Sequence, residues 1–227
     1  MLRRLTAALL FALAPSALAA PCAIPGLRAK VVHRSSPAAI SAGGGFVVMV
    51  ESSRDGTGPS PTELAIQPWW LRTSTGLVKP VIDVIAPGLA VYRIPDGARS
   101  VALENGKTQL AFGLIADKRL PPAAPKVTAI KRQDSHGRHP STSVVVELAE
   151  AAPAGAVALV VADPKGKALA WGRPIGKSVW VYNSGGGCVS LPAGTVASSV
   201  GDQVTLFWLD EVGLVSPATM PVVVETP

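Results

Sequence analysis

The sequence predicts an all-β protein, two tandem β-sandwiches following a cleavable signal peptide. Three observations carry this. The chain of 227 residues holds 22 Gly and 21 Pro, which interrupt it at short intervals. Between them lie short runs of Val, Ile, Leu and Thr, the pattern of strands separated by turns. The segment Pro121-Pro122-Ala123-Ala124-Pro125 then divides the chain into two strand-rich parts. Such a segment stays extended and cannot enter a sheet interior. The expected organisation is a signal over residues 1–20, a sandwich over 21–120, a linker over 121–125 and a second sandwich over 126–227.

The signal is read from its order of parts. Arg3 and Arg4 give a positive start, Leu5 to Leu13 an apolar run, and Ala17-Leu18-Ala19 a small-x-small cleavage pattern. The run is shorter than the roughly 20 residues that span a bilayer. Cleavage is expected after Ala19 or Ala20, which places the product in the periplasm or outside the cell. Pro21 stands directly before Cys22, where a lipid-anchor signal needs a small residue, so a free product is expected. No later stretch is long and apolar enough to predict a transmembrane segment. In an oxidising compartment the only two cysteines, Cys22 and Cys188, are expected to form a disulfide. By the chain-entropy model, a bridge closing so long a loop contributes about 5 kcal/mol.

In the second part, strands are predicted over 126–132, 143–149, 156–162, 168–172, 178–182, 203–209 and 220–225. Asp163-Pro164-Lys165-Gly166 predicts a hairpin turn between two of them. Val157 to Val161 and Val204 to Trp208 are apolar at nearly every position, which predicts central strands of a packed sandwich. Seven short strands in such a length fit an immunoglobulin-like sandwich. The closing stretch adds a resemblance. Val204 to Leu209, then Asp210-Glu211-Val212-Gly213-Leu214-Val215-Ser216-Pro217, then Val222-Val223-Val224, resembles the last two strands of fibronectin type III and related immunoglobulin-like domains. The resemblance implies a fold and leaves function open, because that fold hosts many functions.

In the first part, strands are predicted over 28–33, 46–52, 63–72, 77–85, 89–94, 99–104 and 108–115, with Asn105-Gly106 as a hairpin signal. Short stretches repeat in order between the parts. Lys30-Val31-Val32 matches Lys126-Val127-Thr128, and Val47 to Glu51 matches Val144 to Glu147. Val91-Tyr92 matches Val181-Tyr182, and Val101-Ala102-Leu103 matches Val189-Ser190-Leu191. Their common order suggests two copies of one sandwich.

Charge and motifs exclude several function classes. Removal of the signal takes away Arg3 and Arg4 and no acid, which leaves 19 basic and 15 acidic side chains. The bases are scattered, with no basic stripe interleaved with aromatics, so no nucleic-acid partner is expected. Gly176-Lys177-Ser178 lacks the earlier Gly of a phosphate loop, since Trp171 stands there. No Gly-x-Ser-x-Gly elbow and no facing carboxylate pair is legible, so no catalytic residue, cofactor or enzymatic activity is expected.

Two binding possibilities stay open. His136 and His139 share a polar loop and could hold a metal if His33 converged on them, which would make this a periplasmic metal-binding protein of copper type. Trp69 and Trp70 are adjacent, so on a strand one of them faces outward. Trp180 and Tyr182, two apart, would share a face. An outward indole can stack on a sugar or anchor a protein, because it buries much area at little entropic cost. The reading is therefore a non-enzymatic binding or structural module, with a protein or cell-surface glycan as partner. The alternatives are a metal-binding protein and an enzyme whose site residues are dispersed.

Overall fold

The computed structural model describes residues 28–33, 39–41, 43–53, 70–84, 89–105, 108–135, 141–183 and 201–225. The signal segment, Cys22, Cys188, Trp69, His136 and His139 lie outside them. The described residues contain strands, turns and extended chain, and no helix among them is long and apolar enough to cross a membrane.

In chain order the strands before residue 118 are β1 (Arg28–His33), β2 (Ala39–Ser41), β3 (Gly45–Ser53), β4 (Trp70–Thr73), β5 (Gly76–Val78), β6 (Pro80–Val84), β7 (Leu89–Arg93), β8 (Ser100–Asn105), β9 (Thr108–Gly113) and β10 (Ile115–Asp117). After residue 126 come β11 (Val127–Ser135), β12 (Ser141–Leu148), β13 (Ala156–Ala162), β14 (Ala168–Gly172), β15 (Pro174–Ile175), β16 (Ser178–Asn183), β17 (Gln203–Asp210) and β18 (Val222–Val223).

The two sets pair in the same way. The first forms sheets ordered β1-β3-β7-β6 and β5-β4-β8-β9; the second forms β11-β12-β16-β15 and β14-β13-β17-β18. Read in order, with β2 and β10 set aside, each strand of the first set has its counterpart in the second. In each set, strands one, two, six and five make one sheet and strands four, three, seven and eight the other. That is the strand order of immunoglobulin-like sandwiches. Both halves are immunoglobulin-like sandwiches. Each also closes in the same manner: β2 pairs in parallel with β10, and Lys131 of β11 forms a parallel bridge to Glu225 beyond β18.

The repeated stretches can now be placed. Three of the four matches fall on counterpart strands: β1 with the start of β11, β3 with β12, and β7 with β16. The fourth does not, because the counterpart of β8 is β17. Val101-Ala102-Leu103 lies on β8, and residues 189–191 lie outside the described residues.

Alternation sets the two intra-sandwich cores. Phe46 and Val48 of β3 pack with Leu71, Tyr92, Val101 and Leu103. Val144, Val146, Val179 and Val181 pack with Leu159, Val161, Leu206 and Trp208. The opposite faces of the same strands are also apolar. Val47, Met49, Leu89 and Val91 lie against Ala158, Val160, Trp171, Phe207 and Leu209 in one buried cluster. The β1-β3-β7-β6 sheet of the first sandwich thus packs on the β14-β13-β17-β18 sheet of the second, and the protein is a stack of four sheets. This gives a different reason for runs such as Val157 to Val161. They are apolar on both faces because their sheet is covered on both sides; a sandwich strand with one free face would alternate.

Turn chemistry follows the sequence at the β13–β14 hairpin. Asp163 Oδ1 accepts from the amides of Lys165 and Lys167, both at 2.9 Å, and Gly166 takes φ +86°. Three strands went unread, β2, β10 and β15, and the single strand predicted over 77–85 is two, β5 and β6. The unread strands have three, three and two residues, too few for a periodic signal.

Candidate functional site

The outermost sheets of the stack each leave one face to solvent, and each face carries a tryptophan. On the β5-β4-β8-β9 sheet, Leu71 and Thr73 point inward, so Trp70 and Arg72 point out. Trp70 is 44% exposed. It pairs across the strands with Glu104, which pairs with Gln109; Arg72 pairs with Ala102, which pairs with Ala111. Leu77, opposite Arg72 on β5, adds a second exposed apolar side chain.

The polar groups beside Trp70 are tied to one another. Arg72 grips Glu104 through two bonds, Nε to Oε1 at 2.8 Å and Nη2 to Oε2 at 3.2 Å. Gln109 Nε2 donates to the same Oε1 at 3.0 Å. The hydrogen bond from Arg72 holds the Glu104 carboxyl below the usual carboxylate range. This face thus carries one indole, an ion-pair network and a floor of two alanines.

The opposite end of the stack is built similarly. On β16, Val179 and Val181 point into the core, so Trp180 points out and is 38% exposed. It pairs with Val145 of β12. Ile175 of β15, 72% exposed, pairs with Ser178 and so shares this face. Lys131 Nζ donates to Glu147 Oε1 at 3.0 Å beside them. The two tryptophans therefore lie on opposite outer faces and do not form one site. Tyr182 lies two positions beyond Trp180 on β16, paired with Ser143, and His33 ends β1, paired with Val48. Trp171 and Trp208 are core residues, as their apolar surroundings predict.

The junction between the sandwiches is polar at its rim. Arg119 follows β10 and reaches both halves: Nη1 donates to Glu211 Oε1 at 2.6 Å, and Nε to Asp117 Oδ2 at 3.0 Å. Ser41 Oγ donates to the Arg119 carbonyl at 3.0 Å. These partners push the guanidinium pKa still higher, so it stays charged at any working pH. Sequence reasoning missed this residue, because its partners are far away along the chain.

A cleft of about 310 Å³ lies beside the segment that joins the halves. Its walls include Ala123, Ala124, Leu148 and Pro153, and its charged groups Lys126 and Glu150 are paired with each other at 3.3 Å. None of its lining residues is a Ser, Cys or His. Among the described residues, no group of three or more His, Cys, Asp or Glu is placed to hold a metal ion.

No protein-family model matches the sequence, and no curated protein matches it. Fourteen solved chains are similar in structure. One is the BSP domain of a biofilm associated protein, with 15% identity and a TM-score of 0.28, covering 88% of this chain and 29% of that one. Another is the tandem immunoglobulin repeats of Dlar, with 8% identity and a TM-score of 0.33, covering 88% and 98%. A third is SGBP-B of the Bacteroides ovatus mixed-linkage glucan utilization locus, in complex with a mixed-linkage heptasaccharide. It has 12% identity and a TM-score of 0.23, covering 90% and 46%. The chain spans under a third of the biofilm protein's length. At these TM-scores the fold rests on the sheets described above and not on the likenesses.

Proposed function

We propose that this chain is an exported, non-enzymatic binding or structural module that makes contact through the sheet face around Trp70. The carrying observation is the exposure of that indole on the outer face of its sheet, beside the Arg72–Glu104 ion pair. An exposed indole offers a large apolar surface at low entropic cost, and the neighbouring Arg72, Glu104 and Gln109 can give and take hydrogen bonds. Protein surfaces and cell-surface glycans both suit such a platform. In this reading residues 1–20 are the export signal, residues 21–120 and 126–227 are the two modules, and Cys22 and Cys188 form a disulfide.

The test is a binding screen against insoluble and soluble polysaccharides and envelope proteins, comparing the natural protein with Trp70→Ala. Binding that falls at least about tenfold in Trp70→Ala, while Trp180→Ala leaves it unchanged, supports the reading. Binding unaffected by Trp70→Ala, or hydrolysis of any polysaccharide in the screen, overturns it. Thiol titration of the denatured, unreduced protein should find no free cysteine.

A further inference from the structure

We infer that the partner of the Trp70 face is a second copy of this chain, which presents its Trp180 face. The inference rests on reading the Trp70 face as a contact surface. The stack itself supplies the argument. Within one chain, the outer face of a one-two-six-five sheet (β1-β3-β7-β6) packs on the outer face of a four-three-seven-eight sheet (β14-β13-β17-β18). The two faces left free are one of each kind. The Trp70 face belongs to a four-three-seven-eight sheet, and the Trp180 face to a one-two-six-five sheet. The next molecule can therefore repeat between chains the contact that each chain already makes within itself.

Side-chain size and charge agree with this. Inside the chain, Ala158 and Ala162 of β13 leave room on the sheet that faces Val47 and Met49. On the free sheet of the same kind, Ala102 and Ala111 form a low floor beside Trp70. On the opposing free face, Trp180 and Ile175 project. Among the described residues each free face carries an ion pair, Arg72 with Glu104 and Lys131 with Glu147, so stacking these pairs brings no like charges into excess. The contact is head-to-tail: each copy uses two different surfaces, and association continues past the dimer. It is weaker than the contact inside the chain, whose halves a short connection holds at an effective concentration of about 1 mM.

Sedimentation velocity over protein concentrations up to about 1 mM tests this. The natural protein should sediment progressively faster with concentration and pass the dimer. Trp70→Glu and Trp180→Glu should each remain monomeric alone, and their equimolar mixture should form a dimer and nothing larger. Leu77→Glu and Ile175→Glu, at more exposed positions, should repeat the pattern if either tryptophan variant fails to fold. A natural protein that is monomeric throughout overturns the inference. So does a dimer abolished by only one of the two faces, which marks a symmetric contact. If Trp70-dependent polysaccharide binding appears with a monomer, the self-association fails while the contact-face reading stands.

Discussion

The amide of Gly45 donates to the carbonyl of Val212 at 2.7 Å, which joins the second strand of the first sandwich to the last turn of the second. Gly213 sits directly on this contact. It takes φ +75°, and a Cβ there would lie 2.7 Å from the Gly45 nitrogen. Backbone lies on both sides, so neither can yield cheaply.

Gly213→Ala should therefore be costly in two ways. The left-handed conformation alone costs about 1–2 kcal/mol for a residue with a Cβ. The clash with Gly45 adds to that and should open the seam between the sandwiches. Gly166→Ala is the control, with φ +86° and open space around it. Urea denaturation should give a loss of about 1 kcal/mol for the control and at least twice that for Gly213→Ala. Equal losses would mean that the Gly45 contact contributes nothing.

The apolar layer between the sandwiches should couple their unfolding. Met49 is fully buried there, with Val91 beside it and the second sandwich opposite. Met49→Ala should lose about 2–5 kcal/mol through lost transfer energy and a residual cavity. Leu77→Ala, on the outer face, should change stability by no more than about 0.5 kcal/mol. Calorimetry should show one transition for the natural protein. A natural protein with two independent transitions would show that the layer does not couple the halves.

Much of this architecture was legible in the sequence, for physical reasons that differ by element. The strands of the second sandwich were readable because Gly and Pro turns bound them closely; β13 and β14 match their predicted limits. The motif from Asp210 to Ser216 was readable because its residues each have a local task. Asp210 accepts amides of its own turn, Gly213 supplies positive φ, and Ser216 Oγ accepts from the Trp208 amide at 2.8 Å. The stacking of the two sandwiches was not read, although its signal was present in the doubly apolar Phe46 to Met49 and Val157 to Ala162. Apolarity shows that a face is covered and not by what. The Trp70 platform was half legible. Adjacency required one of Trp69 and Trp70 to face outward, but the choice depends on strand register, which no local feature specifies.

Acid should weaken the junction through Asp117. The amide of Arg119 and then its guanidinium hold this carboxyl below its ordinary value of 3.8. A lowered value in the folded state means stability that is fully present above 3.8 and is lost as pH falls through the folded value. Asp117→Asn should remove this part of the acid sensitivity. Arg119→Ala should remove only some of it, since the backbone amide of residue 119 still donates. Urea midpoints between pH 5 and pH 2 check the order. Equal acid sensitivity in Asp117→Asn and the natural protein would exclude Asp117 as a contributor.

Asp210 should behave in the opposite sense. It is only 2% exposed, and its Oδ1 accepts from the amides of Val212 at 2.9 Å and Leu214 at 2.8 Å. Burial raises its pKa above 3.8, and those two amides offset the rise only in part. The folded state therefore binds its proton more readily than the unfolded state does. This group's contribution improves as pH falls through the raised folded value, and the gain is complete below 3.8. Asparagine keeps a carbonyl oxygen for both amides and carries no charge. Asp210→Asn should match or exceed the natural protein at pH 7, and lose that advantage as the pH falls toward 4. Asp210→Ala leaves two buried amides without their acceptor and should lie about 3 kcal/mol below Asp210→Asn at both pH values. The comparison separates charge from hydrogen bonding. If Asp210→Asn is as damaging as Asp210→Ala at pH 7, the ionised carboxylate itself holds the turn, and its attraction to nearby Arg119 outweighs the cost of burying it.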